Sequence, residues 1–407
     1  MPPLRLPVAV SFSAGCLLAV ASAAFPEEAV QDWSCFRGSA ARTGNLDGAR
    51  GPKAPAERWR FAEAGAKSIG IHSSPAVWKG RVYVGAGQQS VFGSTGRFYC
   101  IDADGKPVWQ AKMKAWVFSS PAVVGGRVFV GEGLHENANC RLYCLDAETG
   151  KEIWTFQTKS HTESTPAVDG GRVYVGAGDD GVFCLSAEDG KEVWHYPDAH
   201  VDLSPAVSGG KVFVGTGYGK TGAICLDAAT GKLLWYAATD LPVWGSPSVA
   251  GGKAFYGLGN GDFRKSSETP KGAVVCLDAG SGSVAWRRDV PDAVLTAVAH
   301  DGARVYFGSR DGNVYAADAA TGAIAWKGAC GGPVLATPAV AKDTLYVVGG
   351  DAAVRLFNAA SGELLWKHDL PGGTPDEPME LFSSPAVAGG RLIVGTGAGH
   401  VVVLGAR

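Results

Sequence analysis

The sequence predicts an all-β fold, an eight-bladed β-propeller of four-stranded antiparallel blades, and two series of repeated landmarks carry the prediction. A Ser/Thr-Pro-Ala-Val type of segment recurs through the chain, at Pro75, Pro121, Pro166, Pro205, Pro247, Pro338 and Pro385. The segment at residues 296–299 aligns as an eighth copy that lacks the proline, with Thr296 in the Ser/Thr position. Tryptophan recurs with a similar period, at Trp59, Trp109, Trp154, Trp194, Trp235, Trp286, Trp326 and Trp366. Periods of this length are typical of propeller blades.

A single repeat, residues 164–194, shows how four strands fit into one period. Residues 164–168 form a short strand, and the following Gly-Gly pair is typical of a hairpin turn that needs positive φ. Val173 and Val175 then alternate with polar or aromatic neighbours, as expected for a strand. Two further β-rich segments follow around a second turn, so each repeat predicts four antiparallel strands.

The two landmark series are out of phase at the chain ends, which predicts how the ring closes. Trp59 precedes the first Pro-Ala-Val segment, and no tryptophan follows the last one at Pro385. The last blade therefore has three strands of its own, near residues 381–388, 391–397 and 400–404, and residues 57–61 supply the fourth. Pairing the two ends removes the open sheet edges that would invite aggregation.

The N-terminus is typical of an exported protein. Residues 1–24 resemble a signal peptide with Arg5, an apolar stretch over residues 6–20 and a small-residue cleavage site at Ala21-Ser22-Ala23. An uncleaved anchor is the alternative, although the stretch is shorter than the ~20 residues that span a bilayer. Cys16 stands in a loose lipoprotein-like box, a second alternative. We expect a periplasmic or envelope-associated protein, with an N-terminal extension over residues 25–56 and the propeller over residues 57–407.

Charge excludes one class of partner. The chain has 37 Lys and Arg against 39 Asp and Glu, a net charge of −2, and no basic run. Nucleic-acid binding requires a basic surface, so no nucleic-acid partner is expected. The expected partner is an envelope protein or a small ligand, and the expected state is a monomer without a transmembrane helix in the mature chain.

The turn before each tryptophan carries a resemblance to a known family. Residues 316–326, AADAATGAIAW, match the A-x-D-x-x-T-G-x-x-x-W tryptophan-docking motif, and residues 144–154 and 225–235 match it with Cys in place of Ala. Four looser copies bring the total to seven. The chain thus resembles quinoprotein-type (PQQ-like) propellers, including the BamB-like outer-membrane assembly family, over residues 57–407. The resemblance implies that the eight tryptophans dock blades together. The segment from Trp33 to Gly38 resembles the W-x-x-F-R-G opening of exported members, for which packing on the propeller is the expected role.

The cysteines indicate packing sites and no metal site. Five of them occupy one third-strand position that other blades fill with Ala316, Leu356 or Val403: Cys100, Cys144, Cys184, Cys225 and Cys276. Such a position is apolar, and free cysteine behaves there as a small hydrophobe. Cys35, Cys140 and Cys330 remain, enough for one disulfide at most. No zinc-type spacing occurs, and neither does the vicinal Cys-Cys pair of many quinoprotein alcohol dehydrogenases.

Loop residues around the channel are the candidate binding site. With the repeats aligned on the Pro-Ala-Val segment, the residue before the proline position is always Ser or Thr, whereas the residues three and five before it diverge. The divergence locates variable side chains at the channel mouth. Polar and aromatic groups converging on one funnel favour ligand or partner binding. The candidates are His72, Trp116, Phe118, His161, Glu163, His200, Asp202, Trp244, Glu380 and Phe382. Insertions at residues 87–96, 133–139 and 259–272 are expected on the same face.

Three functions fit these residues. The first is a non-catalytic binding or scaffolding propeller of the cell envelope, with no cofactor and no catalytic residue. The second, implied by the family resemblance, is a PQQ- and calcium-dependent dehydrogenase that would use Glu163 and Asp202, although calcium needs six to eight oxygen ligands. The third is a small-ligand or glycan-binding propeller with aromatic stacking platforms, namely Trp116, Phe118, Trp244 and Phe382.

Overall fold

The computed structural model describes residues 32–44, 51–63, 69–90, 93–135, 137–262, 265–372 and 383–406, and within them eight antiparallel sheets form the blades of a propeller. The eight-bladed all-β prediction is confirmed. The predicted signal peptide, Cys16, Glu380 and Phe382 lie outside the described residues. A 3-10 helix, η1, spans Phe36–Gly38. In the described part of the chain, no helix has the length and apolar character needed to cross a membrane.

The four main strands of each of the first seven blades run in chain order from the innermost to the outermost position. The first sheet also has a short fifth strand, β2 (Ile69–Gly70), which pairs with β4 (Arg81–Ser90). Strand β1 (Ala56–Ala62) comes before the first blade. The first two blades contain β2 (Ile69–Gly70), β3 (Ala76–Trp78), β4 (Arg81–Ser90), β5 (Gly93–Ile101), β6 (Pro107–Met113), β7 (Ala122–Val124), β8 (Arg127–Gly131), β9 (Arg141–Asp146) and β10 (Glu152–Gln157). The third and fourth contain β11 (Ala167–Asp169), β12 (Arg172–Gly176), β13 (Val182–Ser186), β14 (Glu192–Tyr196), β15 (Ala206–Ser208), β16 (Lys211–Thr216), β17 (Gly222–Asp227) and β18 (Leu233–Ala238).

The second half of the ring repeats this order. Its last blade takes three strands from the end of the chain and the fourth, β1, from the beginning. The fifth and sixth blades contain β19 (Ser248–Ala250), β20 (Lys253–Gly259), β21 (Gly272–Asp278), β22 (Val284–Val290), β23 (Ala299–His300), β24 (Arg304–Gly308), β25 (Asn313–Asp318) and β26 (Ile324–Ala329). The last two contain β27 (Ala339–Ala341), β28 (Thr344–Gly349), β29 (Ala353–Asn358), β30 (Leu364–Asp369), β31 (Ala386–Ala388), β32 (Arg391–Gly395) and β33 (His400–Gly405).

The two ends of the chain share the eighth sheet. Strand β1 pairs antiparallel with β33, with Trp59 opposite Val403, and the sheet order is β1-β33-β32-β31. Phe61 of β1 is buried and its ring lies 5.2 Å from that of Tyr99 in the first blade. The blade therefore has no turn between its third and fourth strands, because those strands are the two chain ends.

The docking tryptophans bridge neighbouring blades. Seven indole N–H groups donate to a backbone carbonyl in the turn of the next blade, over 2.8–3.3 Å: Trp59 to Ala103, Trp109 to Ala147, Trp154 to Ala187, Trp194 to Ala228, Trp235 to Ala279, Trp286 to Ala319 and Trp326 to Ala359. Trp366 instead stacks on His368, at 5.4 Å, because the turn it would dock on is missing where the chain ends meet.

A β-bulge lies beside the tryptophan of each outer strand. In the third blade Cys184 pairs with Trp194 and Leu185 pairs with Glu192, so Val193 is an extra residue in the outer strand. A bulge of this kind turns the strand and re-aims the side chains beside it. It also explains why apolar Val193 is exposed, since its side chain leaves the packed face.

The glycine of the docking motif gives a testable contact. Gly231 has φ +71, and a Cβ added there would lie 2.7 Å from the indole of Trp194. Gly219 has a similar φ, +67, with nothing within 4 Å of an added Cβ. We expect Gly219→Ala to cost about 1 kcal/mol through backbone conformation, and Gly231→Ala about 1–3 kcal/mol more through overpacking. Urea unfolding of both variants measures the difference, and equal losses would contradict the docking contact.

A ring of hydroxyl groups links the inner strands and explains the Ser/Thr before each proline. The backbone N–H at this position donates to the hydroxyl of the next blade, at Ser74–Ser120, Ser120–Thr165, Thr165–Ser204, Ser204–Ser246, Thr337–Ser384 and Ser384–Ser74. In the sixth blade the sequence alignment is wrong by one residue. Ala297 makes this bond, to Thr337, whereas Thr296 accepts the N–H of Gly308, and the missing proline left the register ambiguous.

The cysteines of the described chain are all free thiols and all buried. The five at the third-strand position are fully enclosed, which agrees with their expected packing role. The disulfide left open for Cys35, Cys140 and Cys330 does not form in the structure.

The residues before the propeller pair with the inner strands along the central channel. The inner strands of the blades present an unpaired edge to the channel, and the segment over residues 32–44, which we call the channel segment, pairs with it. Carbonyl groups of the segment accept the N–H of inner-strand residues over 2.6–2.9 Å: Trp33 from Val77, Ser34 from Val123, Ala40 from Val207, Ala41 from Val249, Thr43 from His300 and Gly44 from Val340. Buried N–H groups need such partners.

Two buried arginines complete the channel segment. Arg42 donates to the carbonyls of Pro205 (2.5 Å), Thr165 (2.7 Å) and Phe36 (3.2 Å), and Arg37 donates to that of Val298 (2.6 Å). Burial lowers the pKa of Arg42 to about 10, so the guanidinium is still charged at neutral pH. The W-x-x-F-R-G opening thus contributes Trp33 and Arg37 to the interior of the ring.

Candidate functional site

The mouth of the channel is formed by the loops before the inner strands and by the hairpins between the second and third strands. The predicted residues in the described part of the chain gather into two groups there. The first group is aromatic. His72 stacks on Phe118 with 5.6 Å between ring centroids and an interplanar angle of 13°, and it lies 5.6 Å from Trp116.

The second group contains three histidines around one carboxylate, and we call it the imidazole cluster: His135, His161, His200 and Asp202. His161 Nε2 lies 2.8 Å from Asp202 Oδ1, and His200 Nε2 lies 2.9 Å from Oδ2 of the same carboxylate. His135 Nε2 is 3.6 Å from that Oδ2 atom. One ligand-type atom from each residue lies within 4.8 Å of all the others.

Three neighbouring blades hold the imidazole cluster in place. His135 belongs to the turn between β8 and β9. In this turn the side-chain oxygen of Asn137 accepts the backbone N–H of Leu134, and the backbone N–H of Asn137 donates to the Leu134 carbonyl. His161 precedes β11 and packs on Gly178, where an added Cβ would lie 2.5 Å from the imidazole. His200 and Asp202 precede β15. The cluster is therefore assembled between the second, third and fourth blades.

The Nδ1 atoms of His161 and His200, which point away from the cluster, also have hydrogen-bond partners. Ser160 Oγ lies 3.2 Å from His161 Nδ1, and Asp179 Oδ1 lies 2.6 Å from His200 Nδ1. Asp179 belongs to the hairpin between β12 and β13. These contacts orient both rings with Nε2 toward the centre of the cluster.

Electrostatic coupling is strong across the mouth. Hydrogen bonding to Asp202 raises the pKa of His200 to about 9, despite partial burial. Burial opposes ionisation of Asp202, but the bonds from His161 and His200 outweigh it and hold its pKa below the usual range. Burial, and then the charge of Asp202, raise the pKa of Glu163 well above its usual value. Glu163 Oε1 lies 3.5 Å from His135 Nε2.

Aromatic groups border the cluster. Tyr218, in the hairpin between β16 and β17, lies 5.0 Å from His200 and 5.1 Å from Trp244 between ring centroids. The indole N–H groups of Trp116 and Trp244 are buried, and within the described residues neither has a hydrogen-bond acceptor. A buried donor without a partner is costly unless a ligand or water supplies the acceptor.

The structure therefore brings together most of the predicted residues but in two groups rather than one ring. His72, Trp116 and Phe118 form one group, and His161, Glu163, His200 and Asp202 meet in the other, with Trp244 reaching it through Tyr218. Sequence reasoning missed Ser160, Asp179 and Tyr218 and noted His135 only as part of an insertion. The hairpins between second and third strands lie on the same face as the mouth loops. Including these hairpins in the search would have added Asp179 and Tyr218 to the candidates.

The donor set decides which ions the mouth could hold. Three imidazole nitrogens and a carboxylate suit Zn²⁺ and similar transition ions. Calcium requires six to eight oxygen ligands, and here both oxygens of Asp202 already face imidazoles. The mouth residues that the structure describes therefore do not fit the calcium ion that accompanies PQQ in quinoprotein dehydrogenases.

The ring, its docking tryptophans and its closed inner edge define the chain as a propeller of the quinoprotein class. The family model described as outer membrane protein assembly factor BamB matches residues 48–137, 136–220, 197–266 and 270–407, and the chain belongs to this family. No curated protein matches the sequence.

Solved structures share the fold at low identity. The crystal structure of BamB from Moraxella catarrhalis is 17% identical with a TM-score of 0.66, over 87% of this chain and 100% of that one. Quinohemoprotein alcohol dehydrogenase from Comamonas testosteroni is 15% identical with a TM-score of 0.71, over 93% and 81%. The computationally designed Ika8 protein is 17% identical with a TM-score of 0.65, over 84% and 98%. Identities this low show the fold alone.

Proposed function

We propose that the chain is a non-catalytic binding protein of the cell envelope that holds its partner or ligand at the channel mouth. The observation that carries the proposal is the pair of buried indole N–H groups, of Trp116 and Trp244, without acceptors among the described residues. Trp116 lies beside His72, and Trp244 lies beside Tyr218, which in turn contacts His200 of the imidazole cluster. A molecule bound at the mouth would supply the missing acceptors. The family description supports an envelope location, and the signal-peptide-like N-terminus supports export.

The channel segment supports binding at one end. Residues 32–44 pair with the inner strands of six blades, so this segment lines the channel behind the mouth. The loop residues of the mouth are positioned by the blades.

The mouth can be tested with conservative variants. Trp116→Phe and Trp244→Phe replace each indole with a smaller aromatic ring and remove the N–H donors. Trp78→Phe is the control, because Trp78 is the last residue of β3 and the mouth loops precede the inner strands. We expect the double mouth variant to recover at least about tenfold less of an envelope partner than the wild type does after cross-linking in envelope extracts. Each lost hydrogen bond is worth about 1 kcal/mol of binding free energy. The control should bind normally.

Two results would contradict the proposal. One is equal recovery of every envelope protein by the wild type and the double variant in quantitative mass spectrometry. The other is a bound quinone absorbance, with alcohol-dependent dye reduction, after addition of PQQ and Ca²⁺, which would show a dehydrogenase instead.

A further inference from the structure

We propose that the imidazole cluster is a binding site for one divalent transition cation, for which Zn²⁺ is the first ion to test. The inference deepens the proposed function by naming an ion that the mouth takes, and it rests on that function only in treating the mouth as a ligand site. The sequence analysis predicted no metal site here, because the four residues belong to three blades and only His200 and Asp202 are close in sequence.

The donor atoms already face one another. His161 Nε2, His200 Nε2 and His135 Nε2 surround the carboxylate of Asp202 at 2.8, 2.9 and 3.6 Å. Metal–nitrogen distances of ~2.0–2.1 Å place the ligands of a tetrahedral ion ~3.3 Å apart. All four atoms lie within 4.8 Å of one another, so small side-chain movements bring them to that spacing.

The contacts behind the rings are those that metal-binding histidines make. A histidine ligand commonly donates its other N–H to a carboxylate or another acceptor, which fixes the ring and its tautomer. His200 has Asp179 at its Nδ1 atom, 2.6 Å away, and His161 has Ser160 at 3.2 Å. In both rings the Nε2 atom is the one that faces the cluster.

The surroundings favour a site that is enclosed but reachable. The side chain of His161 is 2% exposed and that of Asp202 is 11% exposed, whereas His135 is 27% exposed on its turn. An ion therefore enters past His135, and the deeper ligands are shielded from competing water. The side chain of Glu163, 3.5 Å from His135, adds a carboxyl group beside the entry.

The test is isothermal titration of the untagged chain with ZnCl₂, after dialysis against a chelator. We expect one ion per chain for the wild type and for His368→Gln, a control histidine on an outer strand. His135→Gln and His200→Gln should each weaken binding by more than the ~10–100-fold that loss of an outer-shell partner costs. Asp179→Asn should stay within that ~10–100-fold range and keep the stoichiometry, as expected of a positioning residue.

Cobalt gives a second readout that does not depend on heat. Co²⁺ added to the wild type should give the visible absorption of a tetrahedral site, which ZnCl₂ then abolishes, and the His135→Gln spectrum should be weakened. Absence of saturable Zn²⁺ binding would overturn the proposal, as would binding that His135→Gln and His200→Gln leave unchanged, or a preference for Ca²⁺ over Zn²⁺. These results are separate from partner capture, which the Trp116 and Trp244 variants report.

Discussion

Replacing Arg42 with leucine is expected to lower the free energy of unfolding by about 3–5 kcal/mol, because it leaves several buried backbone carbonyls in the channel without a donor. The guanidinium is fully buried and donates to three carbonyls, two of them in the third and fourth blades, Thr165 and Pro205. Leucine leaves those carbonyls without a donor. It also removes the charged group that joins the channel segment to both blades.

The chain offers graded controls for this prediction. Arg42→Lys keeps the charge but not the planar fork, so an intermediate loss is expected. Arg58→Leu removes an exposed arginine whose side chain donates, within the described residues, to the carbonyl of Ala406, and its effect should stay within about 0.5 kcal/mol. Urea unfolding followed by tryptophan fluorescence measures all three. An Arg42→Leu loss below about 1 kcal/mol would show that the segment is not held by this side chain.

Trp235→Ala is expected to destabilise the protein by about 3–5 kcal/mol, and Trp366→Ala by less than half of that. The two tryptophans occupy the same repeat position. Trp235 is buried against Gly282 of the next blade and donates to the Ala279 carbonyl. Trp366 is half-buried and its docking turn is missing, because the eighth blade joins the two chain ends.

The comparison isolates docking from simple removal of a large side chain. Both substitutions delete the same atoms, so the difference between them reports the turn contact and the extra burial of Trp235. Thermal unfolding followed by circular dichroism gives the ranking, and denaturant titration gives the free energies. Equal losses for the two variants would mean that the docking turn contributes nothing to stability.

The sequence alone determined the repeat architecture. Each blade must bury the same faces. The period of Trp194 and its equivalents, together with the glycine turns, therefore predicted eight four-stranded units. The variable positions at the mouth were also visible, because packing fixes the neighbouring positions and leaves these open. Blade six was misregistered by one residue, since the alternation around Thr296 and Ala297 has no proline to mark it.

Only the tertiary structure decided which of those positions meet. His135, His161, His200 and Asp202 come from three blades, and their convergence depends on how far each loop reaches over the channel. Packing of the N-terminal segment on the propeller was expected, but its pairing with the inner strands was not, because backbone N–H groups have no signature in side-chain sequence. Local periodicity specifies a blade, whereas contacts between blades depend on ring closure and loop geometry, and these exist only in the folded chain.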